Sequence, residues 1–449
     1  MTLDHKTLGV LEKALRRLDS GFDMLPSFTH DLDTEKIGEI LSETAERMHD
    51  NFPYQHPFYI GQMLKPPHPV ARLAYALSLW LNPNNHALDG GRASSRLEKE
   101  AVARIAAMFG WEQHLGHLTG GGTMANLEAL WVSRELQGNG TVLASAQAHY
   151  THERLCKVLG IPFRAIPVDR QGRIDINALE DELKRGDVAT VVATLGTTAL
   201  GAVDPLDEIL TLRDKHRFRL HVDAAYGGYF TLVSNLDDQA RRAFDTIGAA
   251  DSIVVDPHKH GLQPYGCGCI LFRDPAVGSV YKHDSPYTYF SSDELHLGEI
   301  SLECSRPGAA AVALWATQEM FPYEQGGQFA RDLETCRATA LRFHDWLADH
   351  PGFVPLLAPQ LDIVVWAVRA KSATDASHAA RRIFDEAAKH DLHLALAEMP
   401  RVIASAALPD LHWDRDTITC LRSCLMKPEH AVWFDQITER LAAAARTSS

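Results

Sequence analysis

Apolar positions recur at helical spacing in the first fifty residues and again after residue 320, while the middle of the chain alternates helical segments with short, almost wholly apolar runs. Leu8, Leu11 and Leu15 fall on one face of a helix predicted over Lys6 to Leu18. A second helix is predicted from Asp33, a residue able to cap it, to Asn51. The turn-rich stretch Phe52-Pro53-Tyr54-Gln55-His56-Pro57 follows. A helix then runs from Pro69 to about Leu81, where Asn82-Pro83-Asn84-Asn85 breaks it.

From Ser94 the apolar runs read as strands: Thr141 to Ala144, Thr190 to Leu195, Phe218 to Asp223, Ser252 to Asp256 and Gly268 to Phe272. Strands apolar nearly throughout and separated by helices suit a parallel sheet covered on both faces. Such sheets take ligands beyond the carboxyl ends of their strands. After Glu319 the texture changes to a long helix (Gln328 to Asp349), a strand around Ile363 to Val368, a helix (Ala373 to Lys389), strands around Leu392 to Ala397 and Thr417 to Met426, and a last helix. The expected division is an N-terminal helical segment over 1–60, a large α/β domain over 61–320 and a small α+β domain over 321–449. No internal repeat or low-complexity segment is visible.

Bulk composition removes several function classes. With 449 residues, 45% of them hydrophobic, the chain can build a large core, and its net charge of -14 argues against nucleic acid or an anionic membrane as the main partner. The first thirty residues lack the apolar stretch of a signal peptide, and Ala309 to Ala316, among the longest apolar runs, is too short to span a bilayer. The seven cysteines show no paired CxxC spacing, so a reducing cytoplasm is the expected setting.

Chemistry concentrates at two strand ends. Arg219-Leu220-His221-Val222-Asp223-Ala224-Ala225-Tyr226-Gly227-Gly228 puts an acid at the end of one strand, and Ser252-Ile253-Val254-Val255-Asp256-Pro257-His258-Lys259-His260-Gly261 puts a lysine just past another. Pyridoxal 5'-phosphate (PLP) needs such a pair: a lysine to hold its aldehyde as an imine, and a carboxylate to keep its ring nitrogen protonated. Leu118-Thr119-Gly120-Gly121-Gly122-Thr123-Met124-Ala125-Asn126 runs straight into a helix, and free N–H groups at a helix start attract phosphate. No lysine follows the glycines, so a nucleotide P-loop is not implied. His149 follows a strand end, where its imidazole can stack on the pyridine ring with Ala225 against the opposite face. A zinc site from His149, His152 and Glu153 is the competing reading, but the order does not match the inverted zinc-protease motif, and no metal is expected.

The glycine turn, the Ala-His before a helix, the His-Val-Asp-Ala-Ala-Tyr-Gly-Gly run and the Asp-Pro-His-Lys-His-Gly run together resemble the group II PLP-dependent amino-acid decarboxylases, over most of the chain from His56-Pro57 to Lys427-Pro428. The resemblance implies PLP fold type I, with a mainly parallel seven-stranded sheet, and a homodimer with shared active sites. It implies Lys259 as the Schiff-base lysine and Asp223 as the pyridinium partner. His149 and Ala225 would cover the two ring faces, Gly122, Thr123 and His258 would contact the phosphate, and Thr197 would lie near the ring. A tyrosine on a mobile loop supplies a proton to Cα in the family; here that loop spans Tyr281 to Ser301, and Tyr287 and Tyr289 are the candidates. Asp256 departs from the asparagine of some members and is expected to turn to backbone donors or to His258.

The substrate is an amino acid whose side chain the motifs leave open. Gln62 and Arg422 parallel the glutamine and arginine that bind a side-chain carboxylate in glutamate decarboxylases, while Phe58 and Tyr59 suit an aromatic pocket equally well. Ser305-Arg306-Pro307-Gly308 is similar to a segment of sphingosine-phosphate lyases and keeps carbon–carbon lyase chemistry open. A decarboxylating aldehyde synthase and a non-catalytic PLP-binding homologue are the remaining alternatives.

Overall fold

The computed structural model describes residues 5–26, 28, 31–282 and 294–447; Tyr287 and Tyr289 lie outside the described residues. Seven strands form the main sheet: β1 (Leu115–Thr119), β2 (Thr141–Ser145), β3 (Phe163–Ile166), β4 (Val188–Thr194), β5 (Arg219–Asp223), β6 (Ser252–Val255) and β7 (Gly268–Phe272). Their spatial order is β1-β7-β6-β5-β4-β2-β3. β3, β2, β4, β5 and β6 pair in parallel, whereas β7 runs antiparallel to both β6 and β1. The expected α/β class and the mainly parallel sheet are present.

Two details differ from the apolar pattern. β1 and β3 were not legible as strands, because His117 and Thr119 interrupt one and Arg164 the other. β7 breaks the parallel run for a topological reason. Residues 256–267 contain turns and no helix, and a parallel return needs a long crossover.

A second sheet holds β8 (Phe353–Pro355), β9 (Ile363–Val368), β10 (Ala395–Pro400) and β11 (Thr417–Cys424), in the order β10-β11-β9-β8 and antiparallel throughout. Alternation along β9 divides its side chains between two cores. Ile363, Val365 and Ala367 join the core of the large sheet, while Val364, Trp366 and Val368 pack with Phe343, Leu347 and Ile383 of the flanking helices. The two sheets are therefore cemented by one face of β9. The segment ahead of the large sheet is tied to the small one: Ile60 N–H donates to His393 O, and Cys424 N–H donates to Ile60 O at 2.7 Å.

The helices His5–Asp19 and Thr34–Met48 bury none of their residues against the rest of the chain. Asp33 caps the second, accepting from Lys36 N–H at 2.9 Å. Leu8, Ile40, Leu41 and Met48 are left exposed. Among the described residues no helix is long and apolar enough to cross a membrane.

Candidate active site

The carboxyl ends of β1, β2, β4, β5 and β6 open into one cavity of about 520 Å³, the position at which a parallel sheet receives ligands. Gly122, Thr123, His149, Asp223, Ala225, His258 and Lys259 line it. Thr197 does not. It is fully buried and its hydroxyl accepts Ala202 N–H at 3.1 Å, so that its neighbours Gly196 and Thr198 form the wall instead.

The glycine turn opens the helix Gly122–Gln137. Gly121 has φ 148°, a backbone region that side chains other than glycine avoid. A Cβ at Gly122 would stand 2.8 Å from Asp256 Oδ2, so this position must also lack a side chain. Met124 N–H already donates to Gly121 O at 3.0 Å; the N–H groups ahead of it, at the helix start, form a natural anion site. The turn is braced from outside by Glu303, which lines the cavity and accepts Gly120 N–H at 2.9 Å.

Asp223 closes β5. Its Oδ2 receives His152 Nε2 at 2.9 Å and Asn126 Nδ2 at 3.3 Å, and its Oδ1 receives Ala225 N–H at 3.1 Å. Burial alone would raise this carboxyl; the hydrogen bond from His152 and the positive surroundings, Lys259 included, outweigh it and hold the group below the usual carboxylate range. Burial also lowers His149, leaving its imidazole neutral at pH 7, with Nδ1 2.8 Å from Thr151 Oγ1. His149 and His152 thus serve different partners, Thr151 and Asp223.

Lys259 sits in the turn after β6, its Nζ 3.1 Å from Asp256 Oδ2. Asp256 is also 3.5 Å from His258 Nε2, while its Oδ1 is buried and has no hydrogen-bond partner among the described residues. Of the two expected outlets for Asp256, backbone donors or His258, the side chain faces His258, and the Lys259 amine is nearer still.

The expected substrate residues lie outside the set lining this cavity. Phe58 is packed edge-on against Trp433 at 5.2 Å between ring centres, beneath the guanidinium of Arg440. Tyr59 is held by Lys427, whose Nζ donates to its carbonyl at 2.7 Å. Gln62 and Arg422 meet: Nη1 donates to Gln62 Oε1 at 3.0 Å, while Nε and Nη2 of Arg422 are buried and have no partner among the described residues. Burial pushes the Lys427 amine down to about 7.

Arg306, from the lyase-like segment, turns into the protein and donates to Glu98 Oε1 at 2.8 Å and to Leu118 O, bracing β1 instead of entering the cavity. Sequence reasoning also missed Asn126, Thr198, Glu303 and the pair Tyr226–Asp362. Tyr226 lines the cavity with its ring while its hydroxyl donates to Asp362 at 2.6 Å. Only the proximity of Asn126 to the glycine turn hinted at any of them.

Comparison with known proteins agrees with this geometry. The model of the pyridoxal-dependent decarboxylase conserved domain matches residues 123–367. The L-tyrosine decarboxylase of Enterococcus faecium is 27% identical, covering 75% of this chain and 73% of its own. A probable L-tyrosine/L-aspartate decarboxylase of Methanoculleus marisnigri is 30% identical over 67% of this chain and 79% of its own. Among solved structures, mouse CSAD in apo form superposes with TM-score 0.78 at 20% identity, covering 98% of this chain and 99% of that one. Oryza sativa TDC with PLP and tryptamine gives TM-score 0.78 at 17% identity, covering 98% and 96%. An ionised buried carboxylate, a lysine and a helix N-terminus around one cavity fit the ring nitrogen, aldehyde and phosphate of PLP, and with the match over more than half its length the chain belongs to the pyridoxal-dependent decarboxylases, PLP-dependent carboxy-lyases.

Proposed function

We propose that this carboxy-lyase converts an L-amino acid with an acidic or aromatic side chain to the corresponding amine and CO2. The observation that carries the reading is the cavity shared by Asp223 and Lys259. PLP, when bound, supplies an electron sink for the pair left at Cα as CO2 departs. Lys259 would hold the aldehyde, and Asp223 would keep a proton on the ring nitrogen. His149, neutral through burial, and Ala225 would flank the ring. Gly122, Thr123 and His258 would hold the phosphate, and Thr197 sets the turn that presents Thr198. Tyr287 or Tyr289 would be the proton donor toward Cα.

Arg422 supports a carboxylate-bearing substrate, because two of its guanidinium nitrogens are buried without an acceptor and a carboxylate would satisfy both. That favours acidic over aromatic side chains, with Gln62 as the neutral second donor, Tyr59 beside it, and Phe58 as an aromatic element of the same segment. The printed names of the relatives include both tyrosine and aspartate. We also assign a homodimer with shared sites, supported by two N-terminal helices that have no fully buried residue and leave Leu8, Ile40, Leu41 and Met48 exposed.

The test is a panel of L-amino acids scored for CO2 and amine. Release of both from one acidic or aromatic substrate supports the reading. Aldehyde with ammonia and peroxide as the main products, or carbon–carbon cleavage without CO2, overturns it. The visible absorbance of lysine-linked PLP is expected to vanish in Lys259→Ala.

A further inference from the structure

We propose that His152 is a positioning residue for the reaction. It saturates one oxygen of Asp223 so that the other is presented, as an anion, to the cofactor's ring nitrogen. The proposal rests on Asp223 being the partner of that nitrogen.

The argument follows the direction of each hydrogen bond. Asn126 must donate to Asp223 Oδ2 through its amide nitrogen, which leaves its oxygen, Oδ1, as an acceptor. That oxygen lies 2.8 Å from His221 Nε2, so Nε2 carries the hydrogen. Burial pushes His221 down to about 3, so the ring is neutral and its Nδ1 is bare. The bare nitrogen, 2.9 Å from Ser252 Oγ, accepts the serine hydroxyl. The chain of donors therefore runs one way, from Ser252 through His221 and Asn126 into Oδ2 of Asp223.

His152 supplies the second donor to the same oxygen, from Nε2 at 2.9 Å. Its side chain is wholly buried, and its Nδ1 has no hydrogen-bond partner among the described residues. A buried polar ring that makes one side-chain bond, and makes it to the carboxylate at the end of β5, is held there by that bond. Oδ2 thus takes both side-chain donors, whereas Oδ1 takes only the Ala225 N–H and keeps capacity for one more. Hydrogen bonds to an ionised carboxylate favour the ionised form. Without His152, burial would act on Asp223 against fewer partners, the Asn126 arm, the Ala225 N–H and the charge of Lys259, and the ring nitrogen would lose part of its proton.

The test uses holoenzyme loaded with PLP carrying nitrogen-15 in its ring, whose chemical shift reports protonation of that atom directly. In His152→Phe the resonance is expected to move toward the unprotonated position. The turnover number is expected to fall about tenfold, the effect of one pKa unit on the protonated fraction, with KM nearly unchanged. His152→Gln, which keeps a donor, is expected to recover most of both. A ring resonance unmoved in His152→Phe, or a glutamine variant as impaired as the phenylalanine one, overturns the proposal. Should His152→Phe not fold, the downfield proton signal of His152 Nε2–H in the unmodified holoenzyme decides the matter: its absence overturns the proposal. Asp223→Asn serves as the separate control, since a ring nitrogen still protonated there would sink the assignment of Asp223 itself.

Discussion

Nζ of Lys259 stands 3.1 Å from Oδ2 of Asp256, so the amine proposed to hold the cofactor begins as one half of an ion pair. An ammonium has no lone pair with which to attack an aldehyde, and the pair has to open before the linkage forms. Asp256→Asn is therefore expected to take up PLP faster, about fivefold for an interaction near 1 kcal/mol. Stopped-flow absorbance measures this, and a slower or unchanged rate would show that Asp256 assists loading.

Arg422 offers a substitution with a clear sign. Replacing it by methionine keeps its volume and removes the guanidinium that faces Gln62. Activity (kcat/KM) toward the preferred L-amino acid should drop at least about 30-fold, corresponding to the loss of a buried charge pair worth 2 kcal/mol or more. Equal activity of the two chains across an amino-acid panel would rule out Arg422 as the carboxylate site.

Asp362 makes stability depend on pH. Burial pushes its carboxyl up to about 6 from an ordinary 3.8, against the Tyr226 hydrogen bond and the charges of Lys65 and Arg422. The folded chain then binds more protons than the unfolded one between those values. This contribution is complete below the unfolded value and is lost as pH rises through about 6. Relative to Asp362→Asn, the unmodified chain should lose on the order of 3 kcal/mol between pH 4 and pH 7. Urea unfolding of both chains at several pH values reads it, and a constant difference would contradict it.

Gly268 on β7 touches the glycine turn from below, and a Cβ there would lie 2.5 Å from the carbonyl carbon of Gly121. Gly268→Ala should retain the fold at a cost of about 1–3 kcal/mol, as overpacking does. PLP should be released more readily from it during dialysis. Undiminished retention would mean that the turn does not hold the phosphate.

Removing residues 1–50 should yield a smaller assembly by light scattering, because among the described residues neither helix buries a residue and Leu8, Ile40, Leu41 and Met48 are exposed. A truncated chain of unchanged stoichiometry would assign dimerisation to another surface.

What the sequence displayed and what it hid differ in range. β4, β5 and β6, together with Asp223, Lys259 and the glycine turn, were legible because each is encoded by contiguous residues. Apolar runs mark buried parallel strands, and the reactive groups sit at their ends. β1 and β3 escaped because polar residues interrupt them and only neighbouring strands stabilise them. His152–Asp223, Tyr226–Asp362 and Gln62–Arg422 join residues 71, 136 and 360 positions apart, and no local pattern announces such meetings. Thr197 was misread by a single position of backbone orientation, since its neighbour Thr198 takes the wall.

The reversed strand β7 has a consequence for how such an enzyme can diversify. Because β6 and β7 are adjacent and antiparallel, Lys259 rides on a short link fastened at both ends, with His258 N–H donating to Cys267 O at 3.1 Å and Gln263 N–H to Pro257 O at 3.1 Å. An insertion there would slip one strand against the other and displace the amine. Gln62 and Arg422 belong instead to a surface segment and to β11, attached to the other sheet. On the proposed roles, a change of substrate would redraw those pieces and leave the mounting of Lys259 unchanged.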